Sequence, residues 1–340
     1  MAFDIVLVSG PSITGEEELH NVALPFLNMI GYMPVGYDPR TGVETVMESV
    51  PYRLFTECFM GQLDKIWSVG ELARTLKTSI PTVYRHLDKL SALDLVGQSS
   101  LEADISRKGY HIRYHDLSQA WRFTEVNIDL SLEAYRAVVD AIQAGIAKKD
   151  TGAEPKRELK AEGDFALRVT NCKFSYGEKW DTLASEFLYA VDYLSDMGTL
   201  DQKKARATIP YKLLMDCLLR RPEMGWTMDE LSSHLETTKP TVYRYLRKLG
   251  RLGVLEKSVP EVPDEGPAVR TAEERPSKTK GQSERPAAEP AAFGKAPPKR
   301  HFRIRRGNLS KAWNATEWYA KAAVKSYRRT VEHLASFSKH

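Results

Sequence analysis

The sequence predicts a mainly α chain with small β-hairpins (α+β), in which one unit is used twice and closes each time with a long helix. Internal self-similarity is the first reason. VPYRLFTECF (50–59) matches IPYKLLMDCL (209–218), and IPTVYRHLDKLSALDLV (80–96) matches KPTVYRYLRKLGRLGVL (239–255), with Pro81 and Pro240, Cys58 and Cys217, and Trp67 and Trp226 all 159 residues apart. A third block, DLSQAWRFTE (116–125), matches NLSKAWNATE (308–317) at a spacing of 192, so the second unit has gained 33 residues in between. The second reason is periodicity: apolar residues recur at helical spacing in 80–92 and 239–251, and each run passes into short alternating, strand-like stretches.

The added residues fall in 259–299, a stretch of Pro, Glu, Ala, Lys and Arg without apolar periodicity, which reads as a disordered insertion. Residues 148–163, rich in charge with Gly and Pro, read as a linker. The expected organisation is therefore a first unit over 1–147 with its core at about 50–117, and a second over 164–340 with its core at about 209–309. At the front, Phe3-Asp4-Ile5 resembles Phe165-Ala166-Leu167, and Phe26, Leu27 and Tyr32 pair with Phe187, Leu188 and Tyr193. Each unit thus reads as a strand, a helix, a three-helix core with a hairpin, and a closing helix.

Within the core, Tyr52 to Met60 predicts the first helix. Ser68 with Glu71, and Thr227 with Glu230, are spaced as capping boxes for the second, which buries Leu72, Ala73 and Leu76, or Leu231 and Leu235. Thr78 or Ser79, and Thr237 or Thr238, open the third, with Pro81 and Pro240 in its first turn, where the missing N–H costs little. Val83, Leu87 and Leu90, like Val242, Leu246 and Leu249, face inward. The opposite face carries Thr82, Arg85, Asp88 and Lys89 in one unit and Thr241, Arg244, Arg247 and Lys248 in the other, with Lys239 at the start of the third helix of the second unit and Tyr84 and Tyr243 at the flank. DLVGQSS with KGYHIRYHDL, and GVLEKS with KRHFRIRRGNL, form the hairpins.

A helix-turn-helix followed by such a hairpin resembles the winged helix-turn-helix domains of ArsR- and IclR-type regulators, in which a Thr-Val-Tyr-Arg-like run opens the recognition helix. The resemblance covers the central third of each unit. It implies double-stranded DNA as partner. Thr82, Tyr84, Arg85 and Lys89, and Lys239, Thr241, Tyr243, Arg244, Arg247 and Lys248, then become recognition-helix contacts, and Arg107, Lys108, Arg113, Arg300, Arg303, Arg305 and Arg306 become wing contacts. The ArsR metal-binding Cys motif is missing and no IclR-type ligand domain is recognisable, so neither a metal nor a small-molecule effector is implied.

Charge separates the two copies. Lys plus Arg number 49 against 45 Asp plus Glu, a mild excess, but its distribution is uneven. Residues 78–98 balance to zero, whereas 237–257 hold six cations against Glu256 alone. The C-terminal unit is therefore expected to supply most phosphate affinity. The long helices Leu117 to Ala147 and Leu309 to Phe337 share Trp121/Trp313, Tyr135/Tyr327 and Val139/Val331, and are expected to pack the units into an intrachain pseudo-dimer with two recognition helices about one DNA turn apart.

Enzyme chemistry is not expected. GPSITG (10–15) has phosphate-loop glycines but is followed by Glu16 and Glu17 where Lys and Ser or Thr would be needed. His86, His111 and His115 have no paired carboxylate at fixed spacing, and three cysteines without CxxC give no metal or disulfide framework and fit a reducing compartment. No cofactor follows. The N-terminus has neither a signal-peptide nor a membrane-span pattern, so a cytoplasmic, nucleoid-associated protein is expected. The leading functional expectation is a transcription regulator acting as a repressor, with itself or the transcription machinery as further partners. A replication-initiation or chromosome-architectural protein, and a winged-helix interaction scaffold, are the alternatives.

Overall fold

The structure is a computed structural model that describes residues 3–33, 43–101, 104–146, 164–175, 177, 179–194, 201–222, 225–258 and 301–338. The sequence-predicted linker and the 259–299 insertion lie outside these residues. The described chain is mainly helical with small antiparallel sheets.

It opens with β1 (Asp4–Val8) and α1 (Leu19–Met29), then α2 (Val43–Met47) and α3 (Val50–Arg53). The helix expected over Tyr52 to Met60 is α-helical only at its start; Leu54–Met60 widens into a π-helix, and Leu213–Leu218 does the same in the C-terminal half. Both wide turns bury their apolar side chains, Cys58 and Cys217 among them, so the widening serves packing. Burial pushes both thiols up to about 11, consistent with inert core residues.

Two helices and a three-stranded sheet follow. β2 (Trp67–Ser68) leads into α4 (Val69–Thr75), where Ser68 and Glu71 form the expected reciprocal capping box. Ser79 caps α5 (Ile80–Ala92), with Pro81 in its first turn. Asp94, just past the end of the helix, lies in the left-handed region at φ 59°, and its carboxylate takes hydrogen bonds from Arg113 at 2.9 Å and from Asn127. β3 (Val96–Leu101) and β4 (Asp104–Ile112) pair antiparallel, and β2 joins the other edge of β4. The long α6 (Leu117–Ile146) comes next, and the Thr124 hydroxyl ties it to the Leu93 carbonyl at the end of α5, at 2.6 Å.

The C-terminal half runs through the same kinds of element in the same order. β5 (Ala166–Thr170), α7 (Trp180–Ala190), α8 (Gln202–Ala207) and α9 (Ile209–Lys212) precede β6 (Trp226–Thr227), α10 (Met228–His234) and α11 (Lys239–Arg251). Thr227 and Glu230 build the second capping box. β7 (Leu255–Ser258) and β8 (His301–Ile304) complete a sheet ordered β6-β8-β7, as the earlier one is ordered β2-β4-β3, and α12 (Leu309–Phe337) closes the chain. Gly253 (φ +81°) ends α11; a Cβ there would press on the Tyr319 ring at 3.2 Å in a backbone conformation that already disfavours side chains.

The halves interlock. β1 pairs antiparallel with β5 from Asp4↔Thr170 to Val8↔Ala166, so the front strand expected in each unit finds its partner in the other half. The helices α6 and α12 lie antiparallel, fixed by Arg136–Glu317 and Arg328–Glu125, two ion pairs whose arginines, like their glutamates, are 192 residues apart. Trp121 and Trp313 are fully buried, each packed edge-on against a tyrosine of the opposite helix: Trp121 on Tyr327 at 5.9 Å and Trp313 on Tyr135 at 6.1 Å. Phe26 and Phe187 complete the two clusters at 5.7 and 5.2 Å. Burying an aromatic of this size contributes about 3 kcal/mol, so this junction is part of the core.

Candidate nucleic-acid interface

The surface of α5 and α11 is set by which residues their neighbours bury. On α5, Val83, His86, Leu87 and Leu90 point inward; on α11, Val242, Tyr245, Leu246 and Leu249 do. The residue at position 86 or 245 turns inward because the end of the front helix receives it: Tyr32 meets the His86 ring at 6.0 Å and Tyr193 meets Tyr245 at 6.1 Å, both edge-on. His86 is thus a buried core residue.

The outward stripe is accordingly rotated from the expected one. It runs through Pro81, Tyr84, Arg85 and Asp88 on α5, and through Pro240, Tyr243, Arg244, Arg247 and Arg251 on α11. Tyr84 (45% exposed) and Tyr243 (54%) stand within the stripe, a correction to their expected place at the flank. Thr82, Lys89, Thr241 and Lys248 are half-buried beside it. The Thr82 hydroxyl is engaged with Ser79, and that of Thr241 with Thr238, each at 2.9 Å. Lys248 turns back to donate to the Asp192 carbonyl at 3.4 Å. Arg251 belongs to the stripe and sequence reasoning missed it; its spacing of four from Arg247 was the available signal.

Equivalent stripe positions differ in one direction. Ile80, Asp88 and Ala92 of α5 correspond to Lys239, Arg247 and Arg251 of α11, while Tyr84 and Arg85 are retained as Tyr243 and Arg244. Some α11 cations have carboxylates nearby: Lys239 pairs with Asp229, and Arg247 lies 4.0 Å from Asp164. Arg244 donates to the Tyr245 hydroxyl at 2.7 Å and lies over its ring, which holds the guanidinium at the surface. Between α11 and its sheet lies a groove of about 300 Å³ lined by Tyr243, Arg247, Arg251, Lys257, Phe302 and Arg305, among others.

The hairpin residues are distributed differently from the expectation. β4 ends at Ile112 and β8 at Ile304, so Arg113, Arg305 and Arg306 lie beyond the strands, in tight turns that lead into the long helices. Arg113 is ion-paired with Asp94, and Arg305 donates to the Gly253 carbonyl at 2.9 Å, so both lock the base of the hairpin. Arg306 holds a left-handed backbone at φ 58°. Arg303 pairs with Glu256, its cross-strand neighbour. Lys108 is exposed on β4; the side chain of Arg107, and Arg300, lie outside the described residues.

The phosphate-loop lookalike has a structural task. The Gly10 carbonyl accepts from Ser326 at 3.0 Å and the Ile13 N–H donates to Thr330 at 3.1 Å, which seats the loop on α12. His111 and His115 stack at 4.7 Å, with ring nitrogens on Ser99 and on the carbonyls of Ile112 and Leu63. No cluster of metal-ligating residues occurs among the described residues, and none of the described helices is long and apolar enough to cross a membrane.

Residues 213–258, from the wide turn through α10 and α11 to β7, match the family model of the IclR helix-turn-helix domain. The chain carries a helix-turn-helix DNA-binding domain. This domain defines a family of DNA-binding regulators rather than enzymes, and supports a DNA-binding transcription regulator. No curated protein and no solved structure matches the chain.

Proposed function

We propose that the chain is a sequence-specific transcription repressor built as an intrachain pseudo-dimer of two winged helix-turn-helix units, residues 1–147 and 164–340 joined by 148–163, in which the C-terminal unit supplies the principal grip on DNA. The observation that carries the unequal grip is the charge on equivalent exposed positions: Lys239, Arg247 and Arg251 where the N-terminal unit has Ile80, Asp88 and Ala92. The pseudo-dimer is supported by contacts that recur 192 residues apart, Arg136–Glu317 with Arg328–Glu125 and Trp121–Tyr327 with Trp313–Tyr135.

Each residue is assigned a role. Arg244 and Arg247 reach phosphate or a guanine edge, and Tyr243 a phosphate oxygen. Lys239 opens the helix facing the backbone. Thr241 and Lys248, half-buried, act at the edge of the contact. Thr82, Tyr84, Arg85 and Lys89 form a weaker counterpart, and Lys108 with Arg107, Arg300 and Arg303 serves the wings. Arg113, Arg305 and Arg306 work from the hairpin base.

Footprinting on the chain's own genomic DNA, with a promoter reporter, tests this. One short protected site overlapping a promoter, with raised reporter output when the gene is deleted, is the expected result. Iterated protection at a replication origin, or long unspecific coating, would overturn the repressor reading. Binding isotherms across a salt series test the division of labour: Arg247→Ala is expected to weaken binding and flatten the salt dependence more than Arg85→Ala. Equal effects would refute it.

A further inference from the structure

The outward face of α6 is apolar where a helix of this kind needs solvent-compatible residues. Phe123, Val126 and Leu130, at i, i+3 and i+7, are 42%, 55% and 58% exposed, and the Tyr114 ring, 55% exposed, stacks on Phe123 at 5.1 Å. The positions 192 residues further on are Ala315, Trp318 and Ala322, of which only Trp318 presents a large apolar side chain. Scattered exposed apolar residues are ordinary; four of them contiguous along one helix and its preceding turn form a contact surface.

We infer that this stripe is the interface with a second copy of the chain, paired antiparallel about a two-fold axis at Val126. The arrangement follows from the positions on one helix face. To within one residue along the helix, an antiparallel two-fold operation near Val126 brings Phe123 against Leu130 of the second copy and Val126 against itself. Along one edge of the stripe lie Arg122 and Asp129, seven residues apart and both exposed. The same operation sets Arg122 opposite Asp129 of the second copy, twice, because an isologous interface makes each contact in both directions. A parallel arrangement would set Arg122 against Arg122. Partial burial and the carboxylates of Glu125 and Glu133 push the Asp129 carboxyl up against the opposing pull of Lys321 and Arg328, so a further cation is well placed there. Beside the stripe, a groove of about 410 Å³ between α6 and α12 extends the surface that a second copy covers.

The pairing has a consequence that rests on the proposed function. One chain carries one strongly basic helix, α11; two chains joined through α6 carry two, and the dimer reads paired sites through them. Sedimentation equilibrium of the full chain without DNA tests the interface, with a dimer mass expected at micromolar concentration. Leu130→Glu and Val126→Glu are expected to yield the single-chain mass with unchanged circular dichroism, since both positions are exposed, whereas Trp318→Glu leaves the dimer intact. Arg122→Asp is expected to weaken dimerisation and Arg122→Asp with Asp129→Arg to restore it. A wild-type chain that stays single at every concentration, or a dimer that survives Val126→Glu with Leu130→Glu, overturns the inference. On DNA with two sites the single-chain variant should lose at least about tenfold in apparent affinity while binding one site normally, as linked binding requires. A dimer that binds no DNA would sustain the interface and refute the DNA reading alone.

Discussion

The Tyr135 hydroxyl accepts the Thr170 N–H at 3.0 Å, at the outer edge of a two-stranded sheet whose strands open the two halves of the chain. Tyr327 does the same for Val8 at 2.9 Å, on the other edge. A two-stranded sheet has two open edges and each needs its backbone groups satisfied. Each long helix supplies one hydroxyl to the other half's strand. Tyr135→Phe and Tyr327→Phe are each expected to lower unfolding free energy by about 1–3 kcal/mol, the cost of leaving a buried donor unpaired. Denaturant titration measures it; loss below the experimental error for both would show that the edges are satisfied some other way.

Burial pushes the Tyr135 hydroxyl up to about 12 from its ordinary value of 10.0, so the folded state holds the proton longer than the unfolded state does. The corresponding stability is fully present below pH 10 and is lost as pH rises towards 12. Tyr135→Phe should therefore flatten the alkaline limb of the stability profile while lowering its plateau.

Acid is expected to open the N-terminal half first. His86 is buried, Nδ1 has no hydrogen-bond partner among the described residues, and burial, with Arg85 and Lys89 adding to it, lowers its pKa to about 4 from 6.5. A base held neutral in the folded state contributes fully above pH 6.5, and that contribution disappears as pH falls towards 4; its size is about 3 kcal/mol. The C-terminal counterpart is Tyr245, which carries no such liability. His86→Phe is expected to shift the acid unfolding midpoint downward, and hydrogen exchange at pH 5 should show α5 opening before α11. Simultaneous opening would contradict this.

How far the sequence carries the fold depends on whether a feature is local. The capping boxes of Ser68 and Thr227 were legible because donor and acceptor are three residues apart, and the buried leucines of α5 and α11 because helical period alone assigns them. Which side of each helix faces outward was legible only approximately: Tyr32 and Tyr193 arrive from distant sequence to bury His86 and Tyr245, and that rotates the exposed stripe onto Tyr84 and Tyr243. The β1–β5 pairing was not legible, since two short apolar runs do not say which strand each will meet. Nor was the fate of Arg305 and Arg306, because the left-handed backbone begins at Tyr114 and at Arg306, one residue before Gly307, and neither is a residue type that announces it.

The ion pair between Arg328 and Glu125 joins an exposed guanidinium to a carboxylate that is only 5% exposed and that also accepts from Trp121 Nε1 at 2.9 Å. Its cost on disruption is therefore asymmetric. Arg328→Ala leaves a buried charge with one hydrogen bond and is expected to destabilise by about 1–3 kcal/mol, less than a fully buried pair because solvent reaches Arg328. Arg328→Ala with Glu125→Gln should recover part of that loss, since the amide needs no counter-charge and still accepts from Trp121. A double-mutant cycle with no coupling would show that the pair orients the helices without holding them.

Arg251 supplies the sharpest test of the stripe, because it stands four residues beyond Arg247 and faces the groove that Lys257 and Arg305 also line. A phosphate seated between α11 and its sheet would meet these three cations together. Arg251→Ala is expected to reduce the salt slope by about one unit, the loss of one phosphate contact, and to weaken specific and unspecific sites alike, because a phosphate contact carries no sequence information. Ala92→Arg, which installs the same charge on α5, should raise unspecific affinity without creating specificity. If Arg251→Ala instead weakened only the specific site, the residue would be reading a base, and the groove would be a position of sequence recognition.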